Sequence, residues 1–334
     1  MRGELEEEDK GIFPGVTLFT KRGAHSIKPT AVYLPPKPAA SGNMLNVVIW
    51  LHGFFVRDHK FLFRSDPARI REQVRDSNRN VALIAPHLGF EFSVTDKLTG
   101  KETLAGNYSV KDLAKPNWGE RYLNEVLAAI SHFQVPDLKS PPQLQIDKLV
   151  IASHSGGGNA MRNLVGSLGK YQSNLKACWG FDCLYDGSGP PDHATFWYRW
   201  LSGPNARPLE IIYGPDTLPQ SVKLDLMGRG LATPQGDRAE PPLPALNNLN
   251  VNIGHYDAFP AFGQMVKVND LDPAFVDRFM IPPMPAPDWA PRQHQPHGQF
   301  LQQAIANVTT AFPFPKGIHY MIARGGFLSR LSKL

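Results

Sequence analysis

Cysteine is almost missing from this chain of 334 residues, which holds only Cys178 and Cys183. Residues an odd number of positions apart on one strand point to opposite faces, so these two are not expected to form a disulfide. With no paired-cysteine spacing, neither a disulfide scaffold nor a zinc ribbon is supported, and no metal or other cofactor is expected. No apolar run approaches the roughly 20 residues that cross a bilayer, so no membrane span is expected. The chain also lacks a basic start followed by an apolar stretch: Glu4, Glu6, Glu7 and Glu8 crowd its first ten residues. No signal peptide is visible, which favours the cytoplasm. Blocks of one charge sign are missing too. The net charge is +5, but basic residues alternate with acids, as at Lys111-Asp112 and Asp277-Arg278, so nucleic acid is not an expected partner.

Proline, by contrast, is plentiful. Thirty-one prolines remove backbone donors and fix φ, so long rigid loops are expected beside the regular elements. They concentrate in 227–297, which reads as an ordered insertion or cap between a core at 45–226 and a C-terminal part of the core at 298–334. Residues 1–44 form a polar lead-in with short extended pieces at 15–20 and 31–34. Continuous apolar runs at 46–51, 81–86 and 148–153 have the composition of strands buried on both faces. Further strands are expected at 175–184 and 209–213. Helical spacing of Tyr122, Leu123, Val126, Leu127 and Ile130, and of Met161, Leu164, Val165 and Leu168, places helices between strands. Alternating buried strands and helices predict an α/β fold with a mostly parallel central sheet covered by helices on both faces. No internal repeat is present.

The segment 149–160, L-V-I-A-S-H-S-G-G-G-N-A, carries the most chemistry. A buried strand runs into Ser155, glycines follow, and a helix begins. A serine at the apex of such a turn projects its hydroxyl above the sheet, and the strained backbone needs small neighbours two positions away, here Ser153 and Gly157. The N–H of Gly156, at the helix start, faces where charge develops on an attacked carbonyl oxygen. A phosphate-cradling loop is the competing reading. The segment has neither the G-K-[ST] ending nor the G-x-G-x-x-G spacing such loops use.

In this segment the chain resembles the α/β-hydrolase superfamily, with S-x-S-x-G where the pattern is G-x-S-x-G. The resemblance extends to His52-Gly53-Phe54-Phe55 after the 46–51 run. It implies a second oxyanion donor at the Phe54 N–H, with His52 shaping the loop rather than moving protons. The superfamily order of nucleophile, acid and histidine implies that the acid and base lie downstream of Ser155. Asp182, among Trp179, Phe181 and Tyr185, and Asp216, in Gly214-Pro215-Asp216, are both candidates, with Asp182 preferred. His319, on a loop ahead of a closing helix at 321–334, is preferred as base over His255, which follows a short apolar run at 251–253. His294 and His297 lie among prolines and glutamines and read as loop residues, although with His255 they offer a minor metal-site idea. Phe55 and Trp197 are candidates to line an apolar acyl pocket, while 196–201 reads equally as the core face of a helix.

The chemistry implied is hydrolysis of a carboxylic ester through an acyl-enzyme on Ser155, with a small-molecule or polymeric ester as substrate. An acyltransferase or amidase would use the same residues. A non-catalytic α/β-hydrolase-fold binding protein is the alternative from another class.

Overall fold

The computed structural model describes residues 5–8, 16–20, 28–35, 43–64, 66–95, 99–100, 102–134, 143–186, 189–254, 298–311 and 318–334. These form two compact units, Met1–Trp179 with Phe327–Leu334, and Gly180–Gly326.

The first unit is built on strands β1 (Leu5–Glu8), β2 (Val16–Thr20), β3 (Thr30–Leu34), β4 (Met44–Leu51), β5 (Ala82–Pro86), β8 (Gln145–His154) and β9 (Leu175–Phe181), in the order β1-β2-β3-β5-β4-β8-β9. The first three strands and β5 pair antiparallel, whereas β5, β4 and β8 pair parallel. The extended pieces expected at 15–20 and 31–34 correspond to β2 and β3 of this sheet. β4 and β8 are exposed or half-buried where they begin and fully buried where they end. Their apolar residues therefore pull the carboxyl ends into the interior, and the turns that follow those ends are held by a rigid floor.

Helices α1 (Phe61–Arg64) and α2 (Ile70–Asp76) join β4 to β5, while α3 (Trp118–Gln134) joins β5 to β8. These two connections step in opposite directions across β4. With right-handed crossovers, α2 and α3 lie on opposite faces of the sheet, as expected from the sequence. On the α3 face, the buried Tyr122, Leu123, Val126 and Ile130 pack inward, and Tyr122 Oη lies 3.0 Å from Thr30 Oγ1. On the other face Phe327 packs on Trp50 at 4.8 Å, and Gln73 accepts a hydrogen bond from the Leu328 N–H. Helix α4 (Gly157–Leu164) follows β8, burying Ala160, Met161 and Leu164. Between β5 and α3 a two-stranded hairpin, β6 (Glu91–Thr95) with β7 (Glu102–Gly106), forms its own small sheet. Its alternation is too short to have stood out in the sequence.

In the second unit the end of β9, β10 (Leu209–Tyr213) and β11 (Leu249–Ile253) carry the sheet, with β10 and β11 parallel from Leu209↔Leu249 to Tyr213↔Ile253. β11 falls inside the stretch read as insertion or cap, and 255–297 lie outside the described residues. Helices α5 (His193–Leu201), α6 (Leu218–Gly228) and α7 (Gln299–Ala311) accompany these strands, and α8 (Ile318–Leu331) closes the chain. Helix α6 is buried at every position but Pro219, so it has no exposed polar stripe by which periodicity could reveal it. The strand expected at 175–184 stops at Phe181, because Asp182 turns into the left-handed region with φ 45°. Cys178, inside β9, and Cys183, beyond its end, are both buried and neither is in a disulfide. Among the described residues no helix is long and apolar enough to cross a membrane.

Candidate active site

Ser155 sits between β8 and α4 with φ 55°, a conformation that costs a residue with a Cβ about 1–3 kcal/mol and persists only when its surroundings enforce it. Three glycines make the enforcement possible. A Cβ on Gly157 would lie 2.1 Å from the carbonyl oxygen of Leu51, so α4 can start this close to β4 only with glycine there. A Cβ on Gly53 would lie 2.3 Å from Ser155 Cβ and 2.6 Å from its Oγ. The loop after β4 therefore presses its bare backbone against the serine. A Cβ on Gly156 would meet the Phe54 ring at 2.9 Å, which brings the Gly156 and Phe54 segments together beside Ser155. Ser153, where the superfamily pattern has glycine, is fully buried and donates from Oγ to Met161 Sδ at 3.4 Å. Its hydroxyl is thus turned toward α4.

His52 is fixed from both ring nitrogens. Nε2 accepts the Leu88 N–H at 2.7 Å, so the proton resides on Nδ1, which donates to the Gly53 carbonyl at 2.5 Å. Burial pushes its pKa down to about 3. This ring is neutral, has no free lone pair, and ties loop to loop. Tyr108 adds a tie that sequence reading missed: its phenol donates to the His52 carbonyl at 3.1 Å, and its ring meets the Phe54 ring at 4.8 Å. Nothing local marks Tyr108, because the residues it serves are more than fifty positions upstream. Phe55 has φ 69° and is 49% exposed, an unusual state for a bulky residue.

In the second unit Asp182 is fully buried, and its carboxylate accepts three hydrogen bonds. Gly214 N–H donates at 2.8 Å and Thr217 Oγ1 at 2.5 Å to Oδ1, and His319 Nδ1–H donates at 2.6 Å to Oδ2. These three donors offset the desolvation of the charge. A Cβ on Gly214 would stand a tight 3.0 Å from both carboxylate oxygens, so glycine eases the approach of its N–H. With Nδ1 donating to Asp182, His319 carries its lone pair on Nε2. The rings of Tyr320 and Tyr185 flank the imidazole at 5.3 and 6.5 Å. Gly214 and Thr217 escaped sequence reading because a glycine and a threonine after a strand also make ordinary turns.

Of the two candidate acids, Asp182 is therefore the one joined to a histidine. Asp216 is exposed in a short 3-10 turn at Pro215–Thr217, the turn-forming role. His319 lies in the first turn of α8 rather than on a loop before it, since the helix begins at Ile318. His255, His294 and His297 are outside the described residues. Trp197 is fully buried within α5 and packs edge-on to Phe196 and Trp200. It serves the core, so the pocket-lining expectation for it is corrected. Among the described residues no group of His, Cys, Asp or Glu could hold a metal ion.

No family model matches the sequence, and no curated protein does. Among solved structures it is similar to a 2,6-dihydroxy-pseudo-oxynicotine hydrolase, at 14% identity and a TM-score of 0.35 over 75% of this chain and 60% of that one. An S-formylglutathione hydrolase from Staphylococcus aureus matches at 13% identity and a TM-score of 0.35, over 64% of this chain and 78% of that one. The Francisella virulence factor BioJ matches at 14% identity and a TM-score of 0.36, over 93% of this chain and 86% of that one. The chain has an α/β fold, with a mostly parallel sheet, helices connecting its strands, and a serine at the left-handed turn between β8 and α4.

Proposed function

We propose that this chain is a serine hydrolase that cleaves carboxylic esters through an acyl-enzyme on Ser155. The observation that carries the reading is the left-handed Ser155 turn, pressed by the bare backbone of Gly53 and followed by the Gly156 N–H at the start of α4. The Asp182–His319 pair supports it, because its tautomer leaves Nε2 as the lone-pair nitrogen and its chain order is nucleophile, acid, base.

In this reading His319 Nε2 takes the Ser155 proton as Oγ attacks the ester carbonyl. Asp182 holds the imidazole in its tautomer and stabilises the imidazolium that forms. The N–H groups of Phe54 and Gly156 receive the oxyanion. Collapse of the tetrahedral adduct expels the alcohol, which takes the proton from His319. Water then repeats the sequence in reverse roles and frees the acid. No step calls for a metal or redox group. Phe55, exposed beside this loop, is assigned to contact an apolar acyl or aryl portion of the ester.

The test is labelling with a fluorophosphonate alongside a panel of aryl and alkyl esters of increasing acyl length. Wild-type protein is expected to hydrolyse short esters and to be labelled at Ser155, and Ser155→Ala to do neither. A folded wild-type protein that takes no label and hydrolyses no ester would end the reading.

A further inference from the structure

The loop after β4 is held in a costly shape, and the groups that hold it can be named. Phe55 is bulky and left-handed, a state that relaxes unless its flanks are fixed. On the near side, His52 is pinned by the Leu88 N–H on its ring and by the Tyr108 phenol on its carbonyl, while the Tyr108 ring abuts Phe54. On the far side, His87 Nε2–H donates to the Val56 carbonyl at 2.9 Å, and the His87 ring stacks on that of His52 at 5.4 Å. The holding residues are themselves joined: Ser109 N–H donates to the Leu88 carbonyl at 2.8 Å, and Asn107 closes both backbone groups of Phe90, at 2.9 Å each. Residues 87–90 and 107–109 are thus the root of the β6–β7 hairpin, and that root grips the loop at both ends.

We propose that Tyr108 and His87 are positioning residues that hold the Phe54 N–H in register with Ser155 from the two sides of the left-handed Phe55. The proposal rests on the reading of Ser155 as nucleophile and of the Phe54 N–H as an oxyanion donor. Neither residue transfers a proton; each donates one hydrogen bond to a loop carbonyl. The effect on rate follows from geometry. Gly53 has no spare room against Ser155, so release of either neighbouring carbonyl lets the peptide carrying the Phe54 N–H rotate away from the oxygen it serves. A donor that is displaced but not lost should cost less than the full removal of an oxyanion donor.

The experiment compares steady-state kinetics on an ester and on its thionoester, in which the developing charge falls on a large sulfur that accepts hydrogen bonds poorly. Inhibition by an aryl boronate, whose adduct carries an oxygen in the oxyanion position, is measured beside it. For Tyr108→Phe, kcat on the ester is expected to fall about tenfold with KM changed less than about twofold. Boronate affinity should fall by a similar factor, while the thionoester rate changes little. His87→Phe should behave the same way, and His87→Gln, which can again donate to Val56, should recover most of the loss. If Tyr108→Phe does not fold, the two His87 variants decide alone. Ester rates within about twofold of wild type in every folded variant would overturn the proposal, as would equal losses on ester and thionoester. A wild-type protein inert to esters and phosphonate would instead remove the reading on which the proposal rests; an active wild type with unaffected variants removes the proposal alone.

Discussion

The Ser155 turn and the Asp182–His319 pair solve opposite problems by opposite means. Around Ser155 the groups proposed to act are backbone N–H groups, and side chains are absent beside them: Gly53, Gly156 and Gly157 each stand where a Cβ would collide. Around Asp182 the functional group is a buried charge, so the structure gathers donors to it from Gly214, Thr217 and His319. Both use a non-glycine residue at positive φ, Ser155 at 55° and Asp182 at 45°. The contrast teaches that a site made of main chain is sensitive to added volume, whereas a site made of side chains is sensitive to lost donors.

The sharpest way to break this comparison is at the two centres themselves. Ser155→Ala should lower turnover by about 10⁴-fold or more with the fold retained, since only the oxyanion donors and binding remain; circular dichroism beside kcat checks it. Asp182→Asn keeps the volume but exchanges a charge for an amide that cannot hold the His319 tautomer. A loss of about 10³- to 10⁴-fold is expected, and a variant with near-wild-type kcat would show that the pair is structural only.

Added volume provides the next, smaller effects. Gly53→Ala should cost roughly 10²-fold in kcat, because its Cβ meets Ser155 Cβ at 2.3 Å and neither can yield without moving the turn. Gly156→Ala should cost about tenfold or less, because what it meets at 2.9 Å is the rim of the Phe54 ring, which can swing. Reversal of that order would mean that the collision at Gly53 is not what sets the turn.

The remaining effect is on stability rather than on rate. His52 binds a proton below pH 6.5 when unfolded but only near pH 3 when folded, because burial disfavours its cation. The unfolded chain therefore holds more protons between these values, and stability should fall as pH falls through them, by at most about 1.4 kcal/mol per pH unit. His52→Asn is expected to be less stable at pH 7 and to lose less on acidification from pH 7 to 4; parallel unfolding midpoints for the two proteins would refute this.

How legible each region was follows from the same contrast. The motif 149–160 is contiguous, and its strand, serine, glycines and helix are all local consequences of composition, so Ser155 and its turn could be read directly. The role expected of His52-Gly53-Phe54 came from the family resemblance rather than from local composition. The acid and base could not be read directly: Asp182 and Asp216 both follow apolar strands, and both satisfy the order of residues along the chain. What separates them is a hydrogen bond spanning 137 positions to His319, together with the capture of Asp216 in an exposed turn. Trp197 looked like a pocket residue because aromatic clusters serve cores and pockets alike, and only its burial distinguishes the two.

By itself, then, the order of residues determined the alternation of buried strands and helices, the absence of a cysteine framework, and the placing of a small-residue turn at Ser155. These depend on neighbours within a few positions, where covalent geometry and hydrophobic periodicity act. Only the tertiary structure decided which carboxylate meets an imidazole, that His52 is neutral and doubly bonded, and that the hairpin root at Tyr108 and His87 grips the loop after β4. Those outcomes depend on which distant backbone groups come within 3 Å of one another, and no local pattern encodes that distance.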